Sequence, residues 1–154
     1  MRCYANYNEK QPAARSMDDK FTLPPEVTRG ATVRGNEYGW TLDAFPQALL
    51  KAEALGYACL SGQFQFRLDD GIYEMYWLDA DSTDRRDGES WADYGRRSCG
   101  EVLDRFKAAI ASADFPKEAS SWPWLASAMA QGLDIATHLV FVAYFVTETE
   151  LAAQ

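Results

Sequence analysis

One stretch limits what this chain can fold into more than any other: residues 60–68 and 72–78 can be laid side by side as a hairpin across Asp70-Gly71. An Asp-Gly pair between two alternating apolar runs is the strongest short-range hairpin signal, because a two-residue type I′ turn needs positive φ at both positions. With Asp70-Gly71 as the turn, Phe64 faces Trp77, Phe66 faces Met75 and Leu68 faces Tyr73 on one side. Arg67 then meets Glu74, and Gln65 meets Tyr76, on the other. A slip of one residue would exchange the two faces, so the pattern opposes it. A sheet is expected around this hairpin, its apolar face covered by helices.

The flanking segments supply the rest of that sheet and its cover. Residues 1–30 hold a short strand candidate at residues 2–7, followed by a polar segment with Pro12, Pro24 and Pro25. They read as an extended N-terminal segment, part of it free to move. Residues 31–40, with Gly35 and Gly39, read as a short strand and a turn. Asp43 is placed to cap a helix over residues 44–55, with Phe45, Ala48, Leu49, Ala52 and Leu55 on one face and Gly56 at its end. A longer helix is expected from Ser90 to about Ala111, turning Trp91, Tyr94, Ser98, Val102, Phe106 and Ile110 inward, with Asp93 at the positive end of its dipole. Asp114-Phe115-Pro116 breaks it, and residues 117–131 form a third helical region that Trp122-Pro123 divides. Residues 135–147 are apolar at both parities and rich in valine and aromatics, the signature of a central strand buried on both faces. The expectation is one α+β domain over residues 1–154: a mostly antiparallel sheet of four or five strands with three or four helices packed on it.

A chain of 154 residues with 47% hydrophobic content can bury a core without disulfides or a structural metal. Its net charge of −8 argues against non-specific binding to nucleic acid or an anionic membrane and favours a basic partner. No apolar run stands behind Arg2, and residues 139–146 are too few to span a bilayer, so a cytoplasmic protein is expected. Cys3, Cys59 and Cys99 are odd in number and widely spaced, which suits reduced, mostly buried thiols and neither a disulfide framework nor a zinc site.

Chemical motifs are sparse. No phosphate-binding glycine loop and no nucleophile elbow is present, and His138, the single histidine, falls in the expected central strand, where a structural role outweighs a catalytic one. Asp79-x-Asp81-x-Thr83 opens like a calcium loop but holds Asp84 where glycine is needed and Ser90 where a bidentate glutamate is needed. No metal, cofactor or catalytic set is therefore assigned, although sequence leaves open a pair of carboxylates brought together in space. What stands out is the acidic connection LDADSTDRRDGES, with Asp79, Asp81, Asp84, Asp87 and Glu89 beside the aromatic Trp77, Trp91 and Tyr94. It reads either as a solvated loop over an aromatic core or as a docking site for a basic patch on a partner protein, with Asp69, Asp70 and Trp91 as further members.

The runs GYACLSGQFQF, YEMYWLDADSTD and ESWADYGRRSCGEVLDRF, spanning roughly Trp40 to Phe106, resemble bacterial immunity proteins, the antidotes to polymorphic or type VI secreted toxins. Those families share neither a fold nor site residues, so the resemblance carries over no residue roles. It implies a non-enzymatic protein, monomer or homodimer, that binds a cognate toxin domain with a basic cleft and occludes its active site. A small enzyme of unfamiliar type and an acidic phage-type inhibitor mimicking nucleic acid are the alternatives, in that order.

Overall fold

A computed structural model of the chain describes residues 22–154. The strand candidate at residues 2–7, and Cys3, lie outside the described residues. Strands β1 (Ala31–Arg34), β2 (Glu37–Trp40), β3 (Ala58–Leu68), β4 (Gly71–Asp79) and β5 (Leu139–Val146) form one antiparallel sheet in the order β1-β2-β5-β3-β4. Helices α1 (Pro25–Thr28), α2 (Phe45–Ala54), α3 (Trp91–Ser112), α4 (Phe115–Ala119), α5 (Pro123–Ala130) and α6 (Glu148–Ala152) complete the described residues. The α+β class holds, with more helices than expected because the third region splits at Trp122-Pro123 and two short helices flank the sheet.

Strand β5 is central, as its two-sided apolar pattern requires, and is buried along nearly its whole length. It is shorter than expected. Ile135–His138 form a single 3₁₀ turn that Asp134 caps, so His138 precedes the strand instead of lying within it.

The hairpin forms with its faces as expected but its partners shifted by two. Phe64 pairs with Met75, Gln65 with Glu74, Phe66 with Tyr73, Arg67 with Ile72 and Leu68 with Gly71, so the turn is Asp69-Asp70. A shift of two keeps every side chain on its own face, which is why alternation alone could not detect it. Between Phe64↔Met75 and Gln63↔Asp79 the ladder is irregular, and β4 carries Tyr76, Trp77 and Leu78 through a bulge. Trp77, expected opposite Phe64, is instead 43% exposed and donates its indole N–H to Glu118 at 2.8 Å.

Helices α2 and α3 cover one face. Phe141 at the middle of β5 meets Phe45 of α2 and Phe106 of α3 at ring separations of 4.5 and 4.9 Å, with Phe64 also at 4.9 Å. Aromatic pairs at such distances add to the area they bury. Trp122, between α4 and α5, reaches Phe66, Tyr73 and Trp77 on the same side. Ser90 caps α3 by accepting from the Asp93 N–H at 3.1 Å, and Phe106 is its last buried side chain. Ile110, expected inward, is exposed because a helix of 22 residues, about 33 Å long, outruns the layer it covers. Asp43 does not cap α2: the helix opens one residue later, and Thr41 accepts from the Ala44 N–H instead. Leu55 is likewise exposed, at the point where Gly56, with φ +89°, turns the chain away.

Candidate functional site

The acidic segment after β4 is fastened at both ends. Ala80 N–H donates to the Gly62 carbonyl at 2.7 Å and Ser82 N–H to the Leu60 carbonyl at 3.0 Å, prolonging the contact with β3 beyond the strand. The Ser82 hydroxyl donates to the Cys59 carbonyl at 2.7 Å. From α3, Arg97 grips the rest. Its Nε and Nη2 donate to the two Glu89 carboxylate oxygens at 2.8 Å each, Nη2 also reaches the Asp84 carbonyl at 2.9 Å, and Nη1 reaches Glu101 at 3.0 Å and the Thr83 hydroxyl. A planar guanidinium with five donors is the one side chain suited to such a clasp. Its hydrogen bonds hold the Glu89 carboxyl down at about 2, and Glu89 in turn holds Arg97 above the usual guanidinium range. Arg85 bridges to Glu148 of α6 at 2.8 Å while lying 5.4 Å over the Trp91 ring.

The acids expected to form the site therefore divide. Asp79, Asp81, Asp84 and Asp87 are exposed, and among the described residues nothing donates to their carboxylates. Glu89 is committed to Arg97. Trp91 is half-buried and donates to the Gly56 carbonyl at 2.7 Å, so it braces the loop from beneath. Asp69 and Asp70 sit at the opposite end of β4, roughly 25 Å away at about 3.3 Å per residue, and belong to a different surface. Asp70 accepts from the Tyr73 hydroxyl at 3.0 Å.

No family model, curated protein or solved structure matches this chain. What it does must be argued from its own geometry.

Among the described residues two shallow clefts border the loop. Asp79 and Asp81 line the first, of about 180 Å³, with Ser61, Gly62, Gln63, Tyr76 and Tyr144. Burial, and then the charge of Asp79, pushes the Asp81 carboxyl above its ordinary range against the pull of Arg105. The second cleft, of about 280 Å³, has Leu60, Tyr94 and Leu151 beneath and Ser82, Asp84, Arg85 and Gln154 around it. Both fall below the roughly 300–1,000 Å³ of sites that enclose small molecules, and suit one inserted side chain. Among the described residues no group of three or more acids, histidines or cysteines is placed to hold a metal ion.

The face of the sheet away from α2 and α3 holds what sequence reasoning missed: Glu37, Gln65, Arg67 and Glu74 are all buried there. Burial, then the charge of Glu37, pushes the Glu74 carboxyl up to about 7, and burial raises Glu37 as well. Arg67, lowered by burial to about 10, bonds Thr32 and the Glu37 carbonyl in space that Gly39 leaves open, since a Cβ there would stand 2.9 Å from the guanidinium carbon. His138 Nδ1 lies 3.1 Å from the Arg67 carbonyl, which can only accept, so this ring joins the frame as an N–H donor. The polar parity of Gln65, Arg67 and Glu74 was visible in sequence. That this face is buried was signalled only by the second apolar face of β5.

Proposed function

We propose that this chain is an immunity-type binding protein that docks its acidic loop against a basic cleft of a cognate bacterial toxin domain and blocks it without chemistry of its own. One observation carries the reading: the bonds from Arg97, Ser82 and Ala80 order the loop while leaving the carboxylates of Asp79, Asp81, Asp84 and Asp87 unengaged. A loop ordered in advance loses little entropy on binding. Free carboxylates of one sign accelerate encounter with a basic surface and reject wrong partners. Exposed Tyr76 and Trp77, just before the loop, supply the aromatic anchors that such interfaces favour. No helix among the described residues is long and apolar enough to cross a membrane, in keeping with an antidote that meets its toxin in the cytoplasm.

The Glu37–Glu74 pair favours a second reading, a small enzyme. At 3% and 5% exposure these carboxylates line neither cleft, so the enzyme reading ranks below the binding one.

Co-expression with the product of a neighbouring toxin gene tests the proposal: relief of toxicity and co-purification are expected, and failure of both overturns it. Reversing charge at Asp81, Asp84 and Asp87 together should weaken binding at least about tenfold, or about 1.4 kcal/mol. Most of that loss should fall on the association rate and shrink with added salt. Unchanged affinity would place the interface on another face.

A further inference from the structure

The buried polar face is wired in one order. Arg67 can only donate, and its Nε takes Oε1 of Gln65 at 3.2 Å. That contact fixes the amide, so Gln65 Nε2 faces away from the arginine, where it lies 3.3 Å from Oε1 of Glu74 and 3.5 Å from Oε1 of Glu37. Two carboxylates from β2 and β4, strands that are not neighbours in the sheet, thus meet at a single nitrogen. Gln63 Nε2 donates to Oε1 of Glu74 at 3.1 Å, and the Tyr144 hydroxyl donates to Oε2 of Glu37.

The charges do not balance. Among the described residues no cation stands within ion-pairing distance of either carboxylate. Among the described residues the groups facing the pair are Gln63, Gln65 and Arg67 from β3 and Tyr144 from β5. Arg34 from β1 faces Arg67 and donates to the Leu68 carbonyl, and His138 reaches the Arg67 carbonyl. Arg67 spends its Nη groups on Thr32 and on a backbone carbonyl. Arg34 acts on Arg67 and on neither carboxylate, so two ionised carboxylates beside the one guanidinium that reaches them would leave a buried net negative charge, whereas one proton makes that set neutral.

We propose that Glu37 and Glu74 share one proton in a switch that sets the shape of the cleft between Tyr76 and Tyr144. The relay is direct, because Gln63 and Tyr144 each bond one of the two carboxylates and each also lines that cleft. When the proton leaves, like charges on one amide repel, and Gln63 and Tyr144 move with the carboxylates they hold. The inference rests on the binding reading only in treating the cleft as part of the docking surface, and the free chain suffices to test it.

Side-chain carboxyl and backbone amide resonances of the ¹³C,¹⁵N-labelled chain, followed from about pH 5 to 9, read both ends of the relay. A carboxyl step near 7 is expected at Glu74, with Glu37 also titrating above its ordinary range and the amides of Ser61 and Gly62 at the cleft shifting with the Glu74 step. Glu74→Gln should remove that midpoint from carboxyl and cleft alike, and Asp104→Asn, exposed on α3 and outside the cleft, should leave it in place. Tyr144→Phe, which deletes the donor to Glu37, should raise it, and reads the switch even if Glu74→Gln does not fold. Titration of both carboxyls in the ordinary range, or cleft amides that ignore the step, would overturn the proposal. Loss of toxin binding with the titration intact would fail the docking reading alone.

Discussion

Gly62 offers the sharpest test of the core, because two glycines of this chain should respond to alanine in opposite directions. A Cβ at Gly62 would stand 2.3 Å from Cζ of Phe141 and 3.0 Å from the Val142 carbonyl oxygen. Carbon atoms in contact sit about 3.5–4.0 Å apart, so more than an ångström must be found. The ring cannot supply it cheaply, with Phe45, Phe64 and Phe106 all within 4.9 Å of its centre. Overpacking costs about 1–3 kcal/mol, and the absence of a free direction puts Gly62→Ala near the top of that range. In a chain of this size that is a fall in Tm of roughly 6–12 °C. Gly100, inside α3 with nothing within 4 Å of its Cβ position, should instead gain up to about 1 kcal/mol as alanine from helix propensity. Urea and thermal melts followed by circular dichroism compare the two. A neutral Gly62→Ala would mean that Phe141 is not where the aromatic cluster puts it, and a destabilising Gly100→Ala would break the propensity argument.

Three more outcomes follow from the charged groups. Since the folded Glu74 holds its proton up to about 7 against an ordinary 4.5, the folded state binds more protons than the unfolded chain in that window. Stability should therefore fall as pH rises through it, by up to about 3 kcal/mol at 1.36 kcal/mol per unit, and melts of Glu74→Gln should lose that slope. Glu89, held down at about 2, acts in the opposite sense: its stabilisation is present above 4.5 and is lost as pH falls toward 2. Arg97→Met should leave the sheet folded while freeing the loop, seen as faster amide exchange at Thr83, whose N–H donates to Glu101 at 2.9 Å, and at Arg86, whose N–H donates to Glu89 at 3.0 Å. Unchanged protection would show that the contacts with β3 alone order the segment.

Much of the scaffold was legible because local signals agree with burial. The spacing of Tyr94, Ser98, Val102 and Phe106, with Ser90 as cap, places α3, and the two-sided apolar run of β5 places it at the centre of the sheet. The hairpin shows where such signals stop. Alternation distinguishes a register only from its one-residue slip, so the choice between partners two apart falls to the turn and to tertiary contacts. Asp70-Gly71 pointed one way. The observed register instead sets Gln65 beside Glu74 and lets Arg34 reach the Leu68 carbonyl at 2.7 Å. The candidate site was half legible for the same reason: the acids of the loop are contiguous in sequence, but Arg97 and Tyr144, which decide which acids are free and what lies beside them, arrive from α3 and β5.

The bulge in β4 is where scaffold and site join. A bulge bends a strand and re-aims its side chains. Here it follows Met75, the last β4 residue before the irregularity to pair with the core face, and turns Tyr76 and Trp77 outward to 58% and 43% exposure. It also brings Asp79 opposite Gln63, so the first free carboxylate of the loop stands beside the amide that bonds Glu74. Continued regular pairing from Phe64↔Met75 would have set Gln63 opposite Tyr76 and carried Asp79 beyond it. The residues of the bulge thus supply the exposed aromatics Tyr76 and Trp77, put Tyr76 in the wall of the cleft and set Asp79 beside the amide that bonds Glu74. Had β4 continued without them, this chain would keep its core and its acidic segment but lose the contact between the two.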